Sequence, residues 1–123
     1  MDDDAEVTGM LSFALSAAGY EVYAYNSGPE ALAQLIALPP TTRKQLLLLG
    51  IDLSGIDGHT LHEQLIAARP GVFLIAFLSA RWSDADQIRA FTAGAIDYIV
   101  KPVSIPVLLA RISAWSRLHP RRR

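Results

Sequence analysis

Four consecutive leucines, Leu46 to Leu49, follow Gln45 and run directly into a loop punctuated by Gly50, Gly55 and Gly58. An unbroken aliphatic run of this kind reads as a strand buried on both faces, at the centre of a parallel sheet. The run alone is also compatible with a buried helical segment. The three glycines behind it argue against a long helix and favour a strand that ends in a loop. In an open parallel sheet, ligands bind beyond the carboxyl ends of the strands. Chemistry is therefore to be sought between Gly50 and Gly58.

The rest of the chain alternates in type. Val7, Leu11, Phe13, Ala14 and Ala18 form a helical apolar stripe, with Asp4 as its N-cap and Gly19 as its stop. Acids in a first turn complement the helix dipole, which accounts for Asp4 and Glu6. It accounts less well for three aspartates in a row, which repel one another. Residues 21–25 read as a short strand. Ser27 and Glu30 have capping-box spacing and open a helix through Ala31, Leu32, Leu35 and Ile36, which stops at Pro39-Pro40. After the leucine strand, a helix from about His59 carries Leu61, Leu65 and Ile66 and ends before Pro70. Residues 73–78 make a second fully apolar strand. Ser83 then caps a helix through Ile88, Phe91 and Thr92 that Gly94 ends. Residues 96–100 are the last strand, and a helix from about Ser104 buries Val107, Leu108, Ile112 and Trp115. Strands alternating with helices through short loops give a doubly wound α/β sandwich.

At 123 residues, with 51% hydrophobic residues and a formal net charge of −1, the chain reads as one compact domain. Such a balance gives no general electrostatic reason to bind nucleic acid or membrane. The absence of cysteine excludes disulfides, thiolate catalysis and Cys-ligated metals. No apolar run reaches spanning length, and the Met-Asp-Asp-Asp start is not that of a signal peptide. The expected location is cytoplasmic.

The stretch from Leu48 to Gly58 resembles the segment after the third strand of response-regulator receiver domains. That family carries leucines, Asp, two variable residues, Leu-Pro-Gly, one variable residue, then Asp-Gly. In this register Gly50 stands where the family has its phosphoacceptor aspartate, and Ser54 replaces the proline. The resemblance runs from Asp2 to about Leu118, which implies a flavodoxin-like, three-layer α/β/α fold over residues 1–118, with 119–123 a basic tail or linker stump. It implies that Ser79 matches the hydroxyl residue that bonds the phosphoryl group, and that Lys101, before Pro102, matches the lysine that pairs with it. In the family that peptide bond is commonly cis. Tyr98 matches the aromatic that swings inward on activation. Asp2 and Asp3 match the acid pair that holds magnesium, but the apolar first strand that normally precedes them is missing.

The expectation is a degenerate receiver that is not an enzyme. Glycine can neither form an acyl phosphate nor ligate a metal, so any Mg²⁺ site at Asp2 and Asp3 is weak. The alternatives are a phosphorylatable switch in which Asp52 substitutes with magnesium, and a small-ligand module using the vacated pocket. Asp52 is expected to be carried by its loop away from the hydroxyl and the lysine. Asp57, with Gly58, forms the turn into the next helix. His59, His62 and Glu63 have metal-site spacing but read as solvated side chains. The resemblance also implies contacts with a protein partner or a second copy through the face from about Ser83 to Leu118, including Arg89, Asp97, Lys101 and Arg111, and, separately, a sensor kinase as a partner. No direct nucleic-acid binding by this domain is expected. Finally, the missing strand leaves residues 46–49 as an open edge. The chain then either draws residues 21–25 against that edge or dimerises over it.

Overall fold

The computed structural model describes residues 5–25, 27–39, 45–53 and 55–118. Three strands, β1 (Gln45–Leu49), β2 (Phe73–Ser79) and β3 (Asp97–Val100), pair in parallel in that order. Gln45 lies opposite Phe73, and Ala76 opposite Asp97. The helices are α1 (Ala5–Ala17), α2 (Gly28–Ile36), α3 (Gly58–Ala68), α4 (Asp84–Thr92) and α5 (Ile105–Leu118).

Both faces of the sheet are covered, giving the doubly wound three-layer fold. On one face Leu47, Leu49, Ile75 and Phe77 meet Ala31 and Leu35 of α2 and Leu61 and Leu65 of α3. On the other, Ala76, Leu78 and Ile99 meet Leu11 of α1 and Leu108, Ile112 and Trp115 of α5. Successive leucines of β1 divide between the two cores, as the period of a strand requires.

The leucine strand takes the edge position that the missing first strand implied, not the central one that its apolar run alone suggested. Among the described residues β1 pairs only with β2, so it is an edge and not the centre of the sheet. Residues 21–25 form no strand, so the gap beside β1 is not closed by them. A strand needs a ladder partner for its backbone groups, and the composition of this segment cannot supply one.

Helix ends follow local chemistry with one exception. Gly19, at φ 96°, ends α1 in a Schellman motif, with Tyr20 N–H donating to the Leu15 carbonyl and Gly19 N–H to that of Ser16. Ser83 caps α4 by accepting from Asp86 N–H at 3.2 Å. Ser27 occupies the N-cap of α2 but makes no side-chain cap bond, and Glu30 instead accepts from Gln34. The capping box is not formed. The expected apolar stripes also shift slightly. Phe13 is 79% exposed, because Thr8, Leu11 and Leu15 form the inward line of α1, and Val107 is 52% exposed on α5.

Candidate functional site at the carboxyl ends of the strands

The site is built where β1, β2 and β3 end together. Gly50 follows β1 directly and is buried. The loop then folds back on itself: Leu53 N–H donates to the Ile51 carbonyl at 3.0 Å, and Gly58 N–H donates to the same oxygen at 2.7 Å. The start of α3 therefore sits on the Gly50–Ile51 backbone so closely that a Cβ at Gly58 would lie 2.0 Å from the Gly50 oxygen. Asp57 fixes this geometry as the N-cap of α3. Its carboxylate accepts from His59 N–H at 2.9 Å, Thr60 N–H at 3.1 Å and the Thr60 hydroxyl at 2.9 Å. Burial pushes the Asp57 carboxyl up, but these hydrogen bonds outweigh it and hold the group below the usual carboxylate value.

The second wall comes from the ends of β2 and β3. Ser79 pairs with Val100, and Lys101 N–H donates to the Ser79 carbonyl at 2.9 Å, ahead of a cis Lys101-Pro102 bond. A cavity of about 80 Å³ results, lined by Gly50, Ile51, Asp52, Leu78, Ser79, Ala80 and Lys101. The structure thus brings together Gly50, Ser79 and Lys101, which are far apart in sequence.

Asp52 corrects an expectation, since it lines this cavity with Ser79 and Lys101 instead of being carried away from them. Its carboxylate is occupied. Arg81 Nε donates to both oxygens at 3.1 Å, and its terminal nitrogen also reaches Oδ1. The Arg81 hydrogen bonds hold the Asp52 carboxyl below its usual range despite some desolvation, with smaller help from the charges of Arg81 and Lys101.

Sequence reasoning passed over Arg81, and the structure makes it the hub. Its N–H donates to the Ser79 hydroxyl oxygen at 3.0 Å, and its carbonyl accepts from the Tyr98 hydroxyl at 2.8 Å. Its guanidinium also stands 3.9 Å from the Asp86 carboxylate at the start of α4. One residue therefore links the β1 loop, the end of β2, α4 and β3. The link depends on the register between β1 and β2. Leu49 lies opposite Phe77, so continuing that register sets an acid three residues past β1 nearly level with a cation just past β2. Tyr98 is 6% exposed, facing inward, and burial raises the pKa of its phenol.

Two further corrections concern α3. His59 and His62 are not solvated but 4% and 1% exposed, their rings 5.1 and 5.5 Å from that of Phe77. The helical spacing that suggested a ligand pair turns them onto the core instead. Their buried ring nitrogens make no hydrogen bond among the described residues. Burial lowers both pKa values, and the charge of Arg89 adds to the effect at His59.

Asp2, Asp3 and the proposed cap Asp4 lie outside the described residues, as does the tail 119–123. Among the described residues no three His, Asp or Glu side chains converge as a metal site. The cavity supplies one carboxylate, already bound to Arg81, whereas Mg²⁺ requires several unencumbered oxygen ligands. The described residues do not fit that ion. Among them, no helix is long and apolar enough to cross a membrane.

Comparison with known proteins gives a consistent result. A family model described as the response regulator receiver domain matches residues 1–113. The DNA-binding dual master transcriptional regulator RpaA of Synechocystis is 31% identical over 118 residues, covering 95% of this chain and 47% of that protein. The phosphate regulon transcriptional regulatory protein PhoB of Rhizobium meliloti is 34% identical over 119 residues, covering 95% and 50% respectively. The chain thus spans about half the length of the curated relatives it matches. Among solved structures, a CheY-like receiver domain protein from Methanospirillum hungatei superposes with a TM-score of 0.81 at 29% identity, covering 93% of this chain and 87% of that one.

Proposed function

We propose a function from one premise: the chain belongs to the family of response regulator receiver domains. Our reading is a receiver module of two-component signalling that works through protein contacts and takes up no phosphoryl group. The observation that carries it is Gly50, side-chain-free, beside Ser79 and Lys101. The one described carboxylate in that cavity, Asp52, is held by Arg81. A carboxylate hydrogen-bonded by a guanidinium has its basicity lowered, which makes it a poorer nucleophile.

On this reading Arg81 takes over part of the task that phosphorylation performs elsewhere. It ties the β1 loop to α4 through Asp86 and holds the Tyr98 hydroxyl inward with its carbonyl. The face built from α4, β3 and α5 is then kept in a single arrangement. That face exposes Ile88 at 63%, Phe91 at 49%, Val100 at 38% and Val107 at 52%. Exposed apolar side chains on neighbouring elements are suited to a protein partner or a second copy. Since the curated relatives are transcriptional regulators about twice as long, regulation of transcription by a parent protein is the setting we favour.

Amide hydrogen exchange across α4, β3 and α5, with and without acetyl phosphate and Mg²⁺, tests this reading. The account predicts superimposable exchange. Phosphodonor-dependent protection or opening of that face contradicts it.

A further inference from the structure

Two buried imidazoles on α3 stand outside the Gly50 cavity. The ionisable groups that act on His62, which are His59 and Glu63, belong to its own helix. His59 differs. Its ring lies against Phe77 and brings Nε2 to 3.8 Å from Oδ1 of Asp86 on α4. Charged groups from three elements face it: Asp57 from the cap of α3, Arg81 from the loop after β2, and Asp86 and Arg89 from α4. Burial and the two arginines oppose a proton on this ring, and the two acids favour one.

The two oxygens of Asp86 have different tasks. Oδ2 accepts from the Ser83 hydroxyl at 2.8 Å, which anchors the carboxylate to the cap of α4. Oδ1 is poised between two nitrogens, 3.9 Å from a terminal nitrogen of Arg81 and 3.8 Å from His59 Nε2. Charge-assisted N–H···O bonds form at about 2.7–2.9 Å, so a shift of about 1 Å completes either contact. While the imidazole is neutral, Arg81 offers Oδ1 the full positive charge. A protonated imidazole offers a second one from a buried position, whereas the Arg81 side chain is half-exposed and screened by solvent. The imidazolium is then the stronger partner.

We propose that His59 and Asp86 form a proton-operated latch on α4, in which protonation of His59 draws Asp86 onto the imidazolium and releases Arg81 from that helix. The inference rests on the reading of Arg81 as the link between the β1 loop and α4. Arg81 keeps its hydrogen bonds to Asp52, so the loop stays tied while α4 is freed from it. The sign is set by burial, which holds the His59 pKa below its ordinary 6.5. The Arg81 arrangement is therefore the one present at neutral pH, and it gives way as pH falls through the lowered value. A receiver that takes up no phosphoryl group thus carries an input for acidity.

The test is an NMR titration of the full nitrogen-labelled chain from neutral pH down to the onset of unfolding, which near-UV circular dichroism marks. Imidazole nitrogen shifts follow His59, and amide and guanidinium signals follow Asp86 and Arg81. The expected result is that His59 titrates while the chain is folded and that the Asp86 and Arg81 signals move with the same midpoint. Exchange of the terminal Arg81 guanidinium protons, corrected for its intrinsic pH dependence, should quicken about two- to fivefold across it. Asp86→Asn should move the His59 midpoint down and leave Arg81 unresponsive. His59→Phe, which keeps a ring against Phe77 but takes no proton, should abolish the response of Arg81 and Asp86. Far-UV circular dichroism checks that both variants fold, and the unaltered chain decides the first point alone. Protonation of His59 only on global unfolding, an unchanged midpoint in Asp86→Asn, or a response that persists in His59→Phe overturns the proposal. No phosphodonor is present, so failure here leaves the phosphodonor test of the proposed function standing. A phosphodonor effect beside an intact pH response overturns that reading alone.

Discussion

Gly58→Ala is the substitution whose consequence the structure fixes most tightly. The added Cβ would sit 2.0 Å from the Gly50 oxygen, 2.9 Å from the Gly50 carbonyl carbon and 2.8 Å from Ile51 Cα. All three are backbone atoms, so no side-chain rotation relieves the clash, and the start of α3 must move off the β1 loop by more than an ångström. Overpacking of this kind costs about 1–3 kcal/mol. The shift also breaks the 2.7 Å bond from Gly58 N–H to the Ile51 carbonyl, a net loss of about 0.5–1.5 kcal/mol. It strains the Asp57 cap, worth about 1 kcal/mol. A destabilisation of about 3–5 kcal/mol follows, a large part of the total stability of a small domain. Urea denaturation followed by far-UV circular dichroism measures it. Gly9→Ala is the internal control. It lies inside α1 with nothing within 4 Å of the new methyl group, and should gain about 0.5–1 kcal/mol. A loss below about 1 kcal/mol for Gly58→Ala would refute the close approach of α3 to Gly50.

Three other outcomes are expected. Burial depresses the pKa of His59 and His62 in the folded chain, so the unfolded chain binds more protons as pH falls below the ordinary value of 6.5. Stability should therefore decline with acidification through that window, and a double substitution to leucine should flatten the decline in pH-dependent urea titrations. His62→Leu alone should stabilise by about 1–2 kcal/mol, since it removes two buried nitrogens without partners among the described residues. Arg69→Met should cost about 1–3 kcal/mol in thermal denaturation. The Arg69 guanidinium donates to the carbonyls of Ile36, Leu38 and Pro39 at 3.0, 2.7 and 3.0 Å, closing the end of α2 from α3.

Most of the fold was legible because its signals are local. Residues 46–49 and 73–78 are apolar enough to declare strands buried on both faces, and Gly19, Ser83 and Gly94 mark helix ends by backbone or side-chain chemistry that neighbours do not override. What the sequence hid depends on partners. Residues 21–25 have strand composition but no ladder to join. The edge position of β1 was legible from the missing first strand and not from the leucines, which cannot report the absence of a neighbour. The burial of His59 and His62 depends on where Phe77 lies, and β2 decides that. Gly50, Ser79, Lys101 and Tyr98 were found through a family pattern of types and spacings. Arg81 was missed because its part depends on the register between β1 and β2, which brings Asp52 within reach.

The central claim is that Gly50 and the Arg81-bound Asp52 leave this receiver without a phosphoacceptor. Gly50 is not among the glycines with positive φ, so its φ does not bar an L residue, and Gly50→Asp provides a matched positive control. The decisive measurement is intact-mass analysis with peptide mapping of the chain and of Gly50→Asp after incubation with acetyl phosphate and Mg²⁺. The account predicts no phosphoryl adduct on the chain itself and a labile adduct at the introduced aspartate, where Ser79 and Lys101 line the cavity. An adduct mapped to Asp52 in the unaltered chain would contradict it.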